Sequence, residues 1–115
     1  MSCVVLFRIH TRPDIDEAEY LRTFERMLGQ VSELPGFIGL EGYTGEDGSE
    51  LAVATFDSDE AIRAWHQHPE HRTTQERGRT EFFDAYQITV ASVTRSYGWS
   101  RPTEHRTRTT QGATS

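Results

Sequence analysis

Residues 37–56 decide the fold: they read FIGLEGYTGEDGSELAVATF, two apolar stretches around a polar centre. Phe37–Tyr43 and Leu51–Phe56 are rich in aliphatic and aromatic residues and have the length of strands. The segment between them, 44–49, is dense in Gly, Asp and Ser, which is typical of a turn. This stretch therefore predicts a β-hairpin, and the other elements are placed relative to it.

The chain before the hairpin predicts one strand and one helix. Cys3–His10 is a strand with apolar residues on both faces: Val5, Phe7 and Ile9 on one, Val4 and Leu6 on the other. After Pro13, acidic residues occupy the first helical turns, where the helix dipole favours anions, and apolar residues recur at helical spacing. Those residues are Leu21, Phe24, Leu28 and Val31. The helix ends before Pro35.

The chain after the hairpin predicts a broken helix and a last strand. A helix begins at Asp57 or Ser58, and Pro69 stops it or restarts the next helix at a first-turn position. The last strand runs from Tyr86 to about Tyr97. A change in the phase of its apolar residues near Val90 predicts a bulge together with burial on both faces.

The order strand, helix, strand, strand, helix with a short extra helix, strand is that of an α+β, ferredoxin-like split-βαβ fold. Helices then cover one face of an antiparallel sheet. Strands that are apolar on both faces need something to cover the second face of the sheet as well. A chain of 115 residues is too short to do this itself, and another copy can cover that face. We expect a homodimer joined sheet to sheet, with the ligand cavity between the sheets and Tyr97 and Trp99 closing the dimer or the barrel end.

Length and composition exclude several classes of protein. Residues 1–99 form one domain, and 100–115 lose all hydrophobic periodicity and predict a disordered tail. A net charge of -6 disfavours a nucleic-acid partner. The single Cys3 forms no internal disulfide, and the apolar run Val4–Phe7 is too short for a signal peptide or membrane span. A cytoplasmic protein without a membrane partner is expected.

Candidate site residues concentrate in 64–83, AWHQHPEHRTTQERGRTEFF, which holds three of the five His at the predicted helix junction. Trp65 is predicted to line the cavity. His71 is the preferred general base and His68 the second choice, and each imidazole has the alternative role of bonding a helix end. A metal site is disfavoured because residues i and i+2 point to different sides of a helix and no Cys or acidic motif accompanies the imidazoles.

Four further residues are candidates for substrate binding: Arg79, Tyr86, Tyr43 and Arg8. Arg79 can hold a substrate anion or pair with neighbouring acids. The two tyrosines can bond a substrate oxygen, although Tyr is also common in half-buried strands. Arg8 lies in an otherwise apolar strand and needs a partner, which we expect to be Glu41 on the neighbouring strand.

A set of short motifs carries a family resemblance. They are Leu34-Pro-Gly-Phe37, the run Phe56-Asp-Ser-Asp-Glu-Ala61 into Trp65, His68-Pro-Glu-His-Arg72, Gly78-Arg79, and Tyr86-x-Ile-x-Val90 through Arg95-x-Tyr97. Over about residues 3–99 the chain resembles the antibiotic-biosynthesis-monooxygenase-like proteins of the dimeric α/β-barrel superfamily. The resemblance implies a cofactor-free monooxygenase in which an aromatic, phenolic or polyketide-like small molecule loses a proton and its anion reduces dioxygen. It implies no cofactor, and no flavin or metal motif is visible in the sequence.

Two departures from that family pattern bear on the chemistry. Characterised quinone-forming and haem-degrading members commonly use an Asn with the Trp of the second helical region, and this chain contains no Asn. In haem-degrading relatives the axial His follows that Trp by about ten residues, a position held here by Gln75. Asn-dependent catalysis is excluded and haem degradation is the weaker alternative. A non-catalytic ligand-binding or accessory protein is the second hypothesis, because fold does not establish activity.

Overall fold

The computed structural model describes residues 2–102, without the side chain of Glu70. Their elements are β1 (Cys3–Thr11), α1 (Glu17–Ser32), β2 (Phe37–Thr44), β3 (Glu50–Phe56), α2 (Asp59–Gln67), α3 (Pro69–Arg77), a π-helical turn (Gly78–Phe82) and β4 (Phe83–Ser92). The strands form one antiparallel sheet in the order β2-β3-β1-β4. The predicted ferredoxin-like α+β fold is therefore confirmed. Of the predicted tail, only residues 100–102 lie within the described part of the chain.

Helix starts follow the capping residues in the sequence. The side chain of Asp16 accepts a hydrogen bond from the Glu19 amide at 3.1 Å and caps α1. Ser58 caps α2 in the same way, accepting from the Ala61 amide at 3.1 Å. Pro69 is the first residue of α3, so the prediction that it restarts the helix is correct. Within residues 2–102, each helix is too short or too polar to cross a lipid bilayer.

The core lies on the sheet face that carries the odd-numbered residues of β1. Phe56, at the end of β3, and Val31 of α1 are its most completely buried side chains. Ile62 and Trp65 of α2 pack against them, together with Cys3. Because these residues come from one end of the sheet, the helices are held tightly there.

The last strand is shorter than the sequence predicts. It ends at Ser92, opposite Cys3, and the prediction of a strand to about Tyr97 was wrong because β1 begins at Cys3 and has no residues left to pair. The predicted bulge near Val90 was also wrong: the register is continuous from Ala85 to Ser92, and the irregularity lies beside Thr11. Within this chain Val90 is exposed and not buried on both faces.

The predicted pairing of Arg8 with Glu41 is not compatible with the strand order. Arg8 on β1 lies opposite Leu51 of β3, and Leu51 in turn lies opposite Tyr43 of β2. Since β3 separates β1 from β2, Arg8 and Glu41 are not on neighbouring strands. The prediction failed because the sequence indicates which strands form a hairpin, but it does not indicate which hairpin strand pairs with β1. That pairing depends on the tertiary structure.

Gly36 is required at the entry to β2, whereas Gly29 in α1 is not required. Gly36 has φ of 91°, and a Cβ there would lie 2.6 Å from Asp57 Oδ1. We expect Gly36→Ala to lower the free energy of unfolding by roughly 1–3 kcal/mol, through left-handed backbone strain and this clash. Gly29→Ala, with no atom within 4 Å of the new Cβ, should raise it by roughly 0.5–1 kcal/mol, since Ala favours helix. Urea unfolding of both variants measures the contrast, and equal values would contradict it.

Candidate functional site

A cavity of about 520 Å³ lies between the core face of the sheet and the helices of a single chain. This cavity lies inside one chain, and a ligand cavity between the sheets of two copies stays a prediction. Its origin is local: Ala52 and Ala54 of β3 are too small to fill the space under the helices. Ile88 and Val90 of β4 line its side and remain partly exposed. The cavity is in the size range of small-molecule sites.

The two walls of the cavity differ in polarity. The sheet wall is apolar, with Val5, Phe7 and Leu40 among its residues. The helix wall carries polar groups from α2, α3 and the residues that flank them: His66, Gln67, His71, Thr74 and Gln75. Such a cavity can hold the flat apolar body of a ligand against the sheet while polar groups on one ligand edge meet the helices.

Trp65 and His71 form a ring pair at the helix junction. Their ring centroids are 4.4 Å apart, and the ring of His68 lies 5.7 Å from Trp65. His68 is the extended residue that ends α2, and Pro69 then starts α3 in a new direction. This turn brings His71 back over Trp65, and both residues line the cavity. His68 is not among the lining residues.

The imidazole of His71 is held in its neutral form. Burial, with smaller contributions from nearby His66 and His68, lowers the pKa of His71 from 6.5 to about 4. Its Nδ1 atom is buried and makes no hydrogen bond with the described residues. A buried polar nitrogen without a partner is uncommon and costs free energy, so the site is destabilised locally. At neutral pH His71 can bond a ligand or accept a proton.

The other sequence candidates do not line the cavity. Arg79 donates a hydrogen bond to the hydroxyl of Tyr86 at 3.0 Å, and Tyr86 stacks on Phe7 at 5.3 Å. This pair is near the cavity wall but neither residue lines it. Arg8 and Tyr43 lie on the opposite face of the sheet, in one cross-strand row through Leu51. The sheet itself separates them from the cavity.

Sequence reasoning missed the polar residues that accompany His71. On α3, His71, Thr74 and Gln75 have the spacing i, i+3 and i+4, and Gly78 continues it at i+7, whereas Gln67 belongs to α2, before the break at His68. That spacing marks one face across α3 and its flanking residues. The signal was hidden because helix periodicity is usually read from apolar residues, and this face is polar.

The π-helical turn and the side chain of Arg77 hold α3 over the cavity. Arg77 binds Glu19 of α1 at 2.6 Å and Glu81 at 2.8 Å, and its Nη1 donates to Thr23 at 3.1 Å. The hydrogen bonds from Arg77 and Arg22 lower the pKa of the half-buried Glu19. No group of three or more His, Cys, Asp or Glu within residues 2–102 is arranged to hold a metal ion.

Comparison with known proteins agrees with this architecture. Residues 2–77 match the family Antibiotic biosynthesis monooxygenase, and the chain belongs to that family. It is 36% identical to Uncharacterized protein YqjZ of Bacillus subtilis (strain 168) over 80 residues. The aligned residues make up 70% of each of the two chains.

Two solved structures share the fold at low sequence identity. One is Rv0793 from Mycobacterium tuberculosis, with a TM-score of 0.72, 16% identity, and coverage of 84% of this chain and 98% of that one. The other is SnoaB, a cofactor-independent oxygenase from Streptomyces nogalater, with a TM-score of 0.69, 15% identity, and coverage of 83% and 95%. At these identities the likeness is one of fold.

The depressed pKa of His71 predicts how stability depends on pH. Between pH 6.5 and about 4 the unfolded chain binds a proton at this residue that the folded chain does not. The free energy of unfolding should therefore fall as pH falls through that window. His71→Phe should flatten this part of the profile, measured by urea unfolding at several pH values. The same substitution at exposed His10 is the control and should retain the slope; a retained slope in His71→Phe would contradict the assignment.

Proposed function

We propose that this protein is a cofactor-independent monooxygenase that oxidises a phenolic or polyketide-like aromatic molecule with dioxygen. The observation that carries the proposal is the cavity between sheet and helices, with the Trp65–His71 ring pair in its wall. Its volume, about 520 Å³, is about three and a half times the cavity of roughly 150 Å³ that holds one benzene. A ligand of two or three fused rings fits that space.

The proposed reaction needs only the substrate and dioxygen: a ring methylene and one dioxygen molecule give a ring carbonyl and one water. One oxygen atom bonds to the ring carbon, and the other leaves as water with the two hydrogens lost from that carbon. The substrate supplies all four electrons, the first of them from the anion formed when it loses a proton. The apolar sheet wall orients the rings and limits the access of water to the anion.

We assign proton acceptance to His71 and substrate positioning to Trp65. A neutral imidazole at the cavity wall can take a proton of the ring methylene, which in the enol tautomer is the hydroxyl proton, and this proton later leaves in the water. The ion pair formed in between is strengthened by the low dielectric around it. His68 remains the second choice, because its ring lies 5.7 Å from that of Trp65. We assign to Arg79 and Tyr86 the role of supporting the cavity wall through Phe7. Arg8 and Tyr43 belong to the opposite face of the sheet and are assigned no role in the cavity.

A non-catalytic ligand-binding role is the second candidate, and one observation favours it. A pKa of about 4 makes the imidazole of His71 a weak base toward a phenol, whose ordinary pKa is about 10. The chain also has no Asn. The same cavity without effective proton transfer would bind an aromatic molecule and leave it unchanged.

We also propose that the protein is a cytoplasmic homodimer joined through the second face of its sheet. Val4 and Leu6 of β1 lie there with Leu51 and Val53 of β3, all half-buried by their own neighbours alone. The residues that pack with α1 and α2 into the core lie on the opposite face. A second copy can cover this apolar surface isologously.

Oxygen uptake tests the catalytic proposal. With purified protein and a panel of anthrones and naphthols, uptake should match product formation one to one. His71→Ala should lower turnover by about 10²- to 10⁴-fold because one general base is lost. As the pH is lowered, turnover should fall near pH 4 rather than near pH 6.5, because the pKa of His71 is lowered to about 4.

His68→Ala is the matched control for that experiment and should retain most of the turnover. If it alone loses turnover, the base is His68. If a compound quenches Trp65 fluorescence, measured in a Trp99→Phe background, without any oxygen uptake, the ligand-binding role replaces the enzyme. A stoichiometric haem absorbance band would instead favour haem degradation.

Light scattering tests the dimer. The full chain should have twice the 13.2 kDa chain mass. Leu6→Glu should produce a folded monomer because it puts a charge into the proposed interface. Leu21→Glu, on the exposed side of α1, is the matched control and should stay dimeric. A monomeric parent chain would contradict the proposal.

A further inference from the structure

Gln75 places an amide group in the helix wall of the cavity. The residue is half-buried on α3 and lines the cavity. Its side chain has no hydrogen-bond partner within the described part of the chain. Unlike the Nδ1 atom of His71, this amide is not fully enclosed by protein atoms. An amide has one acceptor oxygen and two N–H donors, so Gln75 can bond a ligand oxygen.

The position of Gln75 on α3 puts its amide beside the imidazole of His71. The two residues are four apart on the same helix, and side chains at this spacing lie on one face with Cβ atoms roughly 5–6 Å apart. Both line the cavity, and the ring of His71 lies 4.4 Å from that of Trp65. A ligand that packs against Trp65 and His71 can therefore bring an oxygen atom to the amide of Gln75.

The cavity wall has little positive charge to offer an anion. Its titratable residues in the described part of the chain are Tyr20, Asp59, Arg63, His66 and His71. Arg63 is already paired with Asp59 at 2.8 Å, and both side chains are more than half exposed. The hydroxyl of Tyr20 donates to Glu50 at 3.2 Å, and burial raises the pKa of Tyr20, so this phenol stays neutral. An anion inside the cavity therefore depends mainly on neutral hydrogen-bond donors.

The proposed proton transfer needs such a donor. The pKa of His71 is about 4 and the ordinary pKa of a phenol is about 10, so the transfer is unfavourable unless the anion is stabilised. A donor fixed where negative charge develops supplies that stabilisation. His66 and Gln67 are exposed and belong to α2, before the helix break, and Thr74 already interacts with another residue. Gln75 is the half-buried amide on the same helix as His71.

We propose that the amide of Gln75 donates a hydrogen bond to the ligand oxygen on which negative charge develops, while the imidazole of His71 takes the proton. The inference rests on the proposed function and names the residue that holds its anion. The ligand class that fits is a neutral phenol or an enolisable ring ketone. A carboxylate would enter the cavity already ionised and would meet no unpaired Arg among the described lining residues.

Ionisation of a bound naphthol tests this contact without any turnover. The absorbance of the naphtholate is followed in a pH titration, with oxygen excluded and the protein in excess over the naphthol. Gln75→Met keeps the length of the side chain and removes the donor, so the pKa of the bound naphthol should rise by about 1–2. Gln75→Glu should raise that pKa further, because a carboxylate would then face the naphtholate.

Gln30→Met is the matched control for the titration. Gln30 is half-buried on a helix as Gln75 is, but it belongs to α1 and does not line the cavity. This variant should leave the pKa of the bound naphthol within about 0.3 of the parent value. If Gln75→Met and Gln75→Glu also leave it there, the inference is overturned. If Gln67→Met raises the pKa and Gln75→Met does not, the donor is the amide on α2 and the assignment to Gln75 is wrong.

Oxygen uptake separates this inference from the proposed function. Gln75→Met should lower kcat by about 10²-fold and change KM by less than about tenfold, because the hydrogen bond is strong only once the ligand is charged. If the parent takes up no oxygen but Gln75→Met still raises the pKa of the bound naphthol, the monooxygenase is overturned and the role of Gln75 stands. If uptake occurs and Gln75→Met changes neither kcat nor that pKa, only the role of Gln75 is overturned. A parent protein that binds no naphthol or anthrone overturns both.

Discussion

The packing of Phe56 at the end of β3 is the contact on which the rest of the structure depends. Its side chain is 1% exposed and its ring meets Phe37 edge to face at 5.5 Å. The same residue lies opposite Cys3, so it joins three strands at one end of the sheet. Ser58 caps α2 two residues later, and Trp65 then follows on the core face. Phe56, Val31, Ile62 and Trp65 also line the cavity, so this packing fixes one part of the cavity wall.

Local sequence signals were enough for most of the fold. Ser58 and Pro69 predicted the start and the break of the second helical region, and the Gly-rich turn predicted the hairpin. The local signals failed where the outcome depends on which strand lies beside a residue. The strand predicted to Tyr97 stops at Ser92 because β1 has run out, and Arg8 does not meet Glu41 because β3 lies between them. Neither fact can be read from the residues concerned.

The candidate site was predictable in part for a related reason. Trp65 and His71 stand out in sequence as a Trp and a His flanking a helix-breaking Pro, and the structure brings their rings together. Gln67, Thr74 and Gln75 did not stand out because polar residues on a helix usually face water. That they line a cavity depends on the small Ala52 and Ala54 across the gap, in a part of the chain about twenty residues away.

The π-helical turn after α3 has a consequence for how insertions and deletions act on this fold. A π turn holds one more residue than an α-helical turn, and here it lets two consecutive residues, Phe82 and Phe83, both line the cavity. Deleting one residue from 78–82 would turn α3 by about 100° relative to β4 if the strand kept its register. His71 would then leave the cavity wall while every strand stayed in place. The spacing between helix and strand, rather than the identity of any side chain in the turn, thus constrains which chain lengths can keep this cavity.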